Sequence, residues 1–558
     1  MHQVIVMKLY CVNLKEYVPF EGGETLQSVV GRLAGRLGFT PLCARVNNKE
    51  EGLSFPLYAP KQVEFVPVGD AAGQRCYIRS LCMVLYRAVT RVAPGARLEI
   101  CNAVSGGYYV RITEIDLDRE MAALDIASEM RRLIAADLPI ERKEKPTAEV
   151  IDMFREQGLY AKVALLESLH ELYTIYYRLD GLADTTLSPL VPRTGLLGEF
   201  GFVPYEEGFL LLGCDPSDAG CPAKERYQPK LFRAFQAYQE FNRIIGISNA
   251  GSLNRAVESG ESGMMINVAE ALHTKHIRGI AQTITDRHRA GGAKVVLIAG
   301  PSSSGKTTFT KRLAIELLTN LLRPVMISLD DYFVDRHLTP RDETGDYDYE
   351  SLMALDLELF NEHLCALIKG DEVEIPTYNF EKGIREFKGK RISLPADGVL
   401  LIEGIHGLNP ELTSAVADEM KYRVYVSALS TISIDDHNWV STTDNRLLRR
   451  IIRDYKYRGT SAMSTIRRWP SVRRGEERWI FPYQENADSM FNSSFIFELG
   501  VMRDEAERVL RTVPRDVPEY AQAHRLRHFL GYFASVSSRL IPPTSLIREF
   551  LGGSSFKY

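Results

Sequence analysis

A short run near the middle of the chain has the residue types and spacing of a loop that holds phosphate groups. It reads Gly300-Pro301-Ser302-Ser303-Ser304-Gly305-Lys306-Thr307-Thr308 and fits the pattern G-x-x-x-x-G-K-[ST] at every fixed position. In such a loop, backbone N–H groups point at phosphate oxygens, the lysine places a positive charge on the β- and γ-phosphates, and the threonine hydroxyl ligates Mg²⁺. A turn that holds no phosphate has no need of lysine followed by threonine. The predicted ligands of a nucleoside triphosphate are Gly300, Ser302, Ser303, Ser304, Gly305, Lys306, Thr307 and Thr308.

The segments around this run have the order that such a loop requires. Residues 295–299 are an apolar run typical of a buried parallel strand, and residues 309–322 have the composition of a helix. Further apolar runs at 325–329, 399–402 and 424–426 alternate with helical segments. This alternation predicts an α/β fold with a doubly wound parallel sheet.

Three acidic residues follow these predicted strands. Asp330 and Asp331 come directly after the second strand, and Glu403 ends the third. Ligands of open α/β sheets bind outside the carboxyl ends of the strands, so a carboxylate there can accept the proton of an attacking hydroxyl or hold Mg²⁺. We predict Asp330 as the proton acceptor and Glu403, with Thr307, as a Mg²⁺ ligand. A helix cap or a turn would explain either acid alone.

Arginines are concentrated in a later helical stretch that ends near Gly459. Their spacing places several on one helix face, where guanidinium groups could close over the phosphates and stabilise the group in transfer. The alternative is a solvated basic face paired with Asp454. The arginines are Arg446, Arg449, Arg450, Arg453 and Arg458.

Taken in order, these motifs resemble the uridine kinase and phosphoribulokinase family of P-loop kinases over residues 290–500. Besides the phosphate loop, the matching motifs are residues 328–333, 347–350, 375–380, 403–406 and 449–454, with Arg458-Gly459. The resemblance implies a P-loop NTPase fold, with ATP and Mg²⁺ as cofactors. It also implies roles for individual residues: Asp330 is the general base, Lys306, Arg450, Arg453 and Arg458 stabilise the phosphoryl group, Glu350 holds ribose hydroxyls, and Tyr378 and Phe380 lie beside the base.

Two positions depart from the family pattern. Pyrimidine-nucleoside kinases read the base with a His three residues after the aromatic pair, where this chain has Gly383. They commonly carry a further arginine where this chain has Thr460. Both departures concern the acceptor, and the phosphate, Mg²⁺ and general-base positions are intact.

The first 200 residues resemble the N-terminal region of threonyl-tRNA synthetases, in which a β-grasp module called TGS precedes an α+β editing-type domain. Matching segments include Arg79-Ser80, residues 94–98 and residues 106–109. Synthetase editing sites use an H-x-x-x-H pair and a later Cys and His. This chain instead has Arg79, Met83, Thr186 and Leu190 at those places, and none of them binds a metal as His or Cys would. We therefore expect no editing chemistry, and a role in binding, regulation or assembly.

Composition limits the partners and the compartment. The 68 basic and 72 acidic residues give a net charge of −4, and the first half lacks a basic stripe with interleaved aromatics, so RNA binding is open but unsupported. The eight cysteines are scattered without zinc-like spacing. With no signal-peptide pattern and no apolar stretch of membrane length, the sequence predicts a cytoplasmic protein without a membrane partner.

The predicted organisation has five parts. A helical pattern is expected over 147–179, a helical connector with a loop at 246–263, and mainly helix over 503–550. The predicted domains are a TGS-like β-grasp at 1–68, an editing-like α+β domain at 69–213, the connector at 214–290, the P-loop kinase at 291–502 and a C-terminal helical segment at 503–558.

Three functions fit this sequence. The leading one is an ATP- and Mg²⁺-dependent kinase that phosphorylates a hydroxyl of a nucleoside, uridine first. A second keeps the fold but takes a sugar, a sugar phosphate or a polyol, as in the phosphoribulokinase branch. A third, from another class, is an ATP-switched regulator that binds RNA or the ribosome. A homo-oligomer stays open.

Overall fold

The computed structural model describes residues 6–33, 35–218, 220–343 and 345–557. The N-terminal part, up to residue 66, forms a five-stranded sheet in the order β2-β1-β7-β4-β5. Strands β1 and β7 are parallel, and helix α1 packs in the same core as the sheet. This confirms the predicted β-grasp arrangement. The elements are β1 (Val6–Cys11), β2 (Glu16–Glu21), β3 (Glu24–Thr25), α1 (Leu26–Leu33), β4 (Cys43–Val46), β5 (Lys49–Gly52), β6 (Pro56–Leu57) and β7 (Gln62–Val66).

The next segment builds one core around the long helix α2, with a four-stranded sheet in the order β13-β14-β9-β8 and a three-stranded sheet in the order β10-β11-β12. The prediction of helix over 147–179 is wrong after residue 169. His170 adopts a left-handed conformation that ends α5, and the aromatic and β-branched run that follows favours a strand. The elements are α2 (Ala71–Val92), β8 (Arg97–Val104), β9 (Gly107–Thr113), α3 (Arg119–Ala135), β10 (Ile140–Pro146), α4 (Thr147–Glu156), α5 (Tyr160–Leu169), β11 (Tyr173–Leu179), β12 (Leu182–Asp184), β13 (Gly201–Tyr205) and β14 (Gly208–Leu212).

The connector contains three helices: α6 (Pro229–Ile244), α7 (Ala250–Glu258) and α8 (Ser262–Arg289). Much of the loop predicted at 246–263 is therefore helical. Helix α7 forms because Asn249 and Ser252 make a reciprocal capping box, which satisfies N–H groups at the start of the helix. The small polar residues here cap the start of a helix, although their composition alone suggested a loop.

The phosphate-loop domain is built on a five-stranded sheet in the order β16-β19-β15-β20-β21, and every neighbouring pair is parallel. The central strand β15 is buried along its whole length, as a sheet covered on both faces requires. This confirms the predicted fold class. The elements are β15 (Val295–Ala299), α9 (Lys306–Thr319), β16 (Arg323–Ser328), α10 (Leu357–Lys369), the antiparallel pair β17 (Val373–Asn379) and β18 (Ile384–Ile392), β19 (Gly398–Glu403), β20 (Lys421–Ser427), α11 (Thr442–Tyr457), α12 (Ala462–Trp479) and β21 (Ser489–Asn492).

The C-terminal part contains α13 (Glu498–Leu510), α14 (Tyr520–Leu530) and the short α15 (Arg548–Leu551). The prediction of mainly helix over 503–550 is wrong for residues 511–519 and 531–547, which lie outside these α-helices. The C-terminal part shares a continuous core with the parallel sheet and the connector. The limits of the five domains stay predictions. None of the helices in the described ranges has the length and the apolar character needed to cross a membrane.

Candidate functional site

The phosphate loop joins the central strand β15 to helix α9, and its backbone depends on glycine at two places. A Cβ at Gly300 would lie 2.0 Å from the carbonyl oxygen of Val426 on β20, so a side chain cannot fit there. Gly305 has φ +85°, a conformation that turns the chain into α9. Helix α9 therefore begins at Lys306, three residues before the predicted start at 309. The first N–H groups of the helix thus border the loop, where an anion binds.

Lys306 closes over this loop. Its Nζ donates to the carbonyl oxygens of Gly300 (2.9 Å) and Pro301 (3.1 Å). Burial lowers the pKa of Lys306, while the negative charges of Glu403 and Asp330 act in the opposite direction. The lysine predicted from the motif and both acids predicted from the strand ends therefore share one cleft.

The two predicted Mg²⁺ ligands are in direct contact. The hydroxyl of Thr307 donates to Glu403 Oε1 at 2.8 Å, because β19 ends beside the first turn of α9. Burial raises the pKa of Glu403 to about 7, although Lys306 and Thr307 pull it down. A hydroxyl and a carboxylate are the hard oxygen ligands that Mg²⁺ takes when phosphates supply the rest of its shell. Within the described ranges, no three His, Cys, Asp or Glu side chains come together as a metal site.

Asp330 lies in a turn at the carboxyl end of β16, where Ser328 caps its backbone N–H at 3.3 Å. Its side chain is solvent-accessible at the mouth of the cleft. The surrounding protein raises the pKa of Asp330, and Lys306, Arg458 and Arg453 counteract this rise. The carboxyl group thus faces both the loop lysine and the arginine helix, as a proton acceptor for phosphoryl transfer must.

Two of the five predicted arginines, both on α11, form the floor of the phosphate loop. Arg446 is buried, pairs with Glu476 on α12 and donates to the carbonyl oxygen of Ser302 at 3.0 Å. Arg449 is also buried, pairs with Glu498 and lies 3.4 Å from the carbonyl oxygen of Ser303. These two arginines therefore support the backbone of the loop, and their charges are already matched by the two glutamates.

The other three arginines gather around Asp454. Arg453 lies 2.8 Å from Asp454, Arg450 lies 3.3 Å from it and Arg458 lies 3.6 Å from it. Arg450 also donates to the hydroxyl of Ser302 at 2.8 Å. Three guanidinium groups on one carboxylate leave a net positive charge beside the loop. The two sequence interpretations, a lid and a basic face paired with Asp454, therefore describe the same group of residues.

Aromatic side chains form one wall of the cleft next to Asp330 and Asp331. Phe333 lies 5.5 Å from Tyr378 and 6.2 Å from Phe380 between ring centroids, and Tyr378 lies 5.0 Å from Phe380. Tyr378 is buried in the wall, whereas Phe380 is 59% exposed. An exposed aromatic ring beside a catalytic cleft can stack on a planar ligand.

Glu350 lies between this wall and the phosphate loop. Gly475 on α12 packs directly against it, since a Cβ at Gly475 would lie 2.4 Å from the Glu350 Cβ. Burial raises the pKa of Glu350 to about 7, and the neighbouring Glu476 adds to the rise. Glu476 in turn accepts from the backbone N–H of Ser302 at 3.1 Å. The predicted ribose ligand therefore has a raised pKa and lies close to the donor site.

Arg336 occupies the space where the family's base-reading histidine would be. Gly383 has φ +70°, and a Cβ there would lie 2.7 Å from the guanidinium carbon of Arg336. Arg336 donates to the carbonyl oxygen of Phe380 at 2.5 Å, and it forms no ion pair with any described residue. Gly383 in place of a histidine is thus accompanied by an arginine that has no ion-pair partner in the described ranges, a feature that sequence reasoning did not identify.

The four positions that replace the synthetase editing residues line one small cavity: Arg79, Met83, Thr186 and Leu190. Arg79 is buried, with its guanidinium 3.4 Å from the centre of the Trp439 ring and donating to Asn438 Oδ1 at 3.0 Å. Arg79 therefore holds a segment of the kinase half.

A buried ionic network completes this contact. Lys162 Nζ lies 2.7 Å from Asp184 Oδ1 and 2.7 Å from Asp435 Oδ1, and His437 Nδ1 lies 2.7 Å from Asp184 Oδ2. Asp435 and His437 belong to the kinase-half segment that precedes the arginine helix α11. The cleft around these residues is therefore a socket for residues 435–439, which we call the socket loop.

The positions that sequence reasoning missed are acids that hold the arginines in place. Glu476 and Glu498 lie 30 and 49 residues from Arg446 and Arg449. Nothing in their local sequence distinguishes them from surface glutamates. Only the packing of α12 and α13 against α11 brings them to the loop.

Comparisons with known proteins match both halves of this arrangement. The family described as "Phosphoribulokinase / Uridine kinase family" matches residues 295–495. A uridine kinase of Halobacterium salinarum is 31% identical over 193 residues, which are 34% of this chain and 76% of that protein. A threonine–tRNA ligase of Desulforamulus reducens is 31% identical over 245 residues, which are 42% of this chain but only 38% of the ligase. Among solved structures, D-glycerate 3-kinase from Cryptococcus neoformans is 16% identical with a TM-score of 0.22, covering 51% of this chain and 90% of that one.

Proposed function

This chain belongs to the phosphoribulokinase and uridine kinase family, fused to a threonyl-tRNA-synthetase-like region, and from this premise we propose that it transfers the γ-phosphoryl group of ATP to a hydroxyl of a nucleoside. One observation carries the proposal. Lys306, the Thr307–Glu403 pair and Asp330 face one cleft at the carboxyl ends of β15, β19 and β16. The residues proposed to bind the donor, to hold Mg²⁺ and to act as the general base therefore lie next to one another.

The residues of this chain then divide the reaction between them. Asp330 accepts the proton of the attacking hydroxyl, and Lys306 with Arg450, Arg453 and Arg458 offsets negative charge on the transferring group. Bound Mg²⁺, held by Thr307 and Glu403, would supply charge neutralisation between the β- and γ-phosphates. The wall of Tyr378 and Phe380 excludes water on the acceptor side, and Glu350 accepts hydrogen bonds from acceptor hydroxyls.

Arg336 favours a second candidate acceptor. A cation without an ion-pair partner among the described residues, in place of a base-reading histidine, suits a sugar phosphate or another acceptor with an anionic group. A neutral nucleoside would leave this charge unused. The Arg336→Gln variant separates the two candidates, because it raises the KM of an anionic acceptor and leaves that of a nucleoside unchanged. Arg391→Gln, which removes an exposed arginine on β18, is the matched control.

An acceptor panel tests the proposed function. Nucleosides, sugars, sugar phosphates and polyols are added one at a time with MgATP, and ADP release is followed. Stimulation by a nucleoside supports the leading proposal, and stimulation by a sugar phosphate or polyol supports the second. If no acceptor stimulates release, and nucleic acid copurifies at low but not at high salt, the ATP-switched RNA-binding regulator takes their place.

We expect replacement of Thr307 by valine to lower turnover by at least roughly tenfold, because the variant keeps the shape of the side chain and loses the hydroxyl that would ligate Mg²⁺. Thr307→Ser keeps the hydroxyl and is expected to retain most activity. ADP release measured across a Mg²⁺ titration checks this. Equal Mg²⁺ dependence in the valine and serine variants would remove Thr307 from the metal site.

A further inference from the structure

The C-terminal segment places a carboxylate on the phosphate loop. Glu549, on α15, accepts hydrogen bonds through Oε2 from the backbone N–H (3.2 Å) and the hydroxyl (2.7 Å) of Thr308. That N–H lies in the first turn of α9, where it has no partner within the helix. N–H groups in this position bind phosphate oxygens in loops of this kind. The Glu549 carboxylate therefore accepts a hydrogen bond from an N–H group that the motif predicts to bind a phosphate oxygen of the nucleotide.

Neighbouring contacts fix this segment, residues 541–557, which we call the C-terminal strap. Phe550 is fully buried, with its ring centre 5.0 Å from the guanidinium carbon of Arg449. Lys456 Nζ donates to the carbonyl oxygen of Leu551 at 2.6 Å. Both partners belong to the arginine helix α11. Glu549 itself is only partly buried, so its side chain can leave the loop while Phe550 stays in place.

The negative charge of Glu549 interacts with Lys306 and Glu403 at the centre of the proposed donor site. Burial lowers the pKa of Lys306 and the charge of Glu549 counteracts this lowering, while burial raises the pKa of Glu403 and Glu549 adds to that rise. A donor phosphate entering the loop would meet this carboxylate at Thr308, and two anions cannot share one N–H group.

We propose that Glu549 is an autoinhibitory group. In the ligand-free enzyme its carboxylate takes the position of a donor phosphate oxygen at Thr308, and a nucleoside triphosphate must displace it in order to bind. The proposal rests on the proposed function, since it requires that the loop binds a triphosphate. It predicts that loss of the Glu549 charge strengthens donor binding, whereas loss of a structural or substrate-binding residue would weaken it.

The test measures the dissociation constant of ATP by calorimetry on the full chain and on the variants Glu549→Gln and Glu549→Ala. A carboxylate at a helix N-terminus is stabilised by amounts that correspond to a roughly two- to fivefold change in affinity, and we expect both variants to bind ATP more tightly by about this factor. The KM for ATP falls in parallel while kcat is unchanged. The matched control is Glu507→Gln, which removes a glutamate paired with Arg511 on α13 and should leave ATP affinity at the wild-type value.

The outcomes separate this proposal from the one on which it rests. Tighter binding in both Glu549 variants supports autoinhibition, and misfolding cannot imitate it because misfolding weakens binding. If the wild type binds ATP and both variants bind equally or more weakly, autoinhibition is wrong and the kinase proposal stands. If neither the wild type nor the variants bind ATP, both proposals fail.

Discussion

Replacement of Asp330 by asparagine is expected to lower kcat by about 10²–10⁴-fold while the dissociation constant of ATP stays within about twofold of wild type. The amide keeps the size and the turn geometry but cannot accept the proton of the attacking hydroxyl. Among the described residues, no hydrogen bond joins the Asp330 side chain to the phosphate loop, so we expect ATP binding to change little in this variant. Timed assays of ADP release measure kcat, and calorimetry of ATP binding measures the dissociation constant.

Asp331 supplies the control for this experiment. It is adjacent in the same turn, and burial also raises its pKa, but it accepts a hydrogen bond from the backbone of Tyr378 instead of facing Lys306. Asp331→Asn is therefore expected to retain most of the activity. If Asp330→Asn keeps wild-type turnover, or if both variants lose turnover equally, Asp330 is not the base.

Replacement of Lys162 by methionine is expected to destabilise the protein by about 3–5 kcal/mol, the usual cost of removing one partner from a buried ion pair. Burial alone would lower the pKa of Lys162, but Asp184 and Asp435 raise it, so the ammonium group is charged between them. Methionine would leave both carboxylates buried without their cation. Urea unfolding followed by tryptophan fluorescence reports the change, because Trp439 lies in the same cleft.

An exposed lysine provides the matched control. Lys145 pairs with Glu149 at 2.8 Å on the surface, and exposed pairs of this kind contribute little to stability. Lys145→Met is expected to leave the unfolding midpoint unchanged. If the two methionine variants unfold at the same urea concentration, the network does not hold the socket loop in place. If only Lys162→Met unfolds early and also weakens ATP binding, the synthetase-like half supports the arginine helix.

The catalytic half of the site could be predicted because its residues lie at positions that the fold fixes. A phosphate loop follows one parallel strand, and Asp330 and Glu403 end two others, so any parallel sheet brings them to one edge. The spacing of the arginines predicted that several share one helix face, but it did not identify the acidic residues that pair with them. Arg446 and Arg449 are matched by acids on α12 and α13 that are distant in sequence, and only tertiary packing selects them.

The socket and the strap could not be predicted for the same reason. The sequence indicated that Arg79, Met83, Thr186 and Leu190 had lost the editing chemistry, and the structure places them around one cavity. What fills that cleft depends on a segment more than 350 residues away, since Arg79 contacts Asn438. The contact between Glu549 and Thr308 spans 241 residues. Local patterns carry no information about contacts of this length.

The errors in secondary structure have local causes. At 170–179 the spacing of the hydrophobic residues still predicted a helix. His170 nevertheless ends helix α5, and the β-branched and aromatic residues that follow form β11. At 246–263 the small polar residues suggested a loop, whereas Asn249 and Ser252 cap helix α7. In both places, single residues at an element boundary outweighed the average composition of the segment.

The central claim is that the cleft between Lys306, Glu403 and Asp330 transfers a phosphoryl group to an acceptor hydroxyl. The most direct measurement incubates the full chain with Mg²⁺ and γ-³²P-labelled ATP and each member of the acceptor panel, then separates the products. We expect label in one acceptor class with the wild type, and a reduction of that label by at least roughly a hundredfold with Asp330→Asn. Label in no acceptor, or equal label with the wild type and with Asp330→Asn, would contradict it.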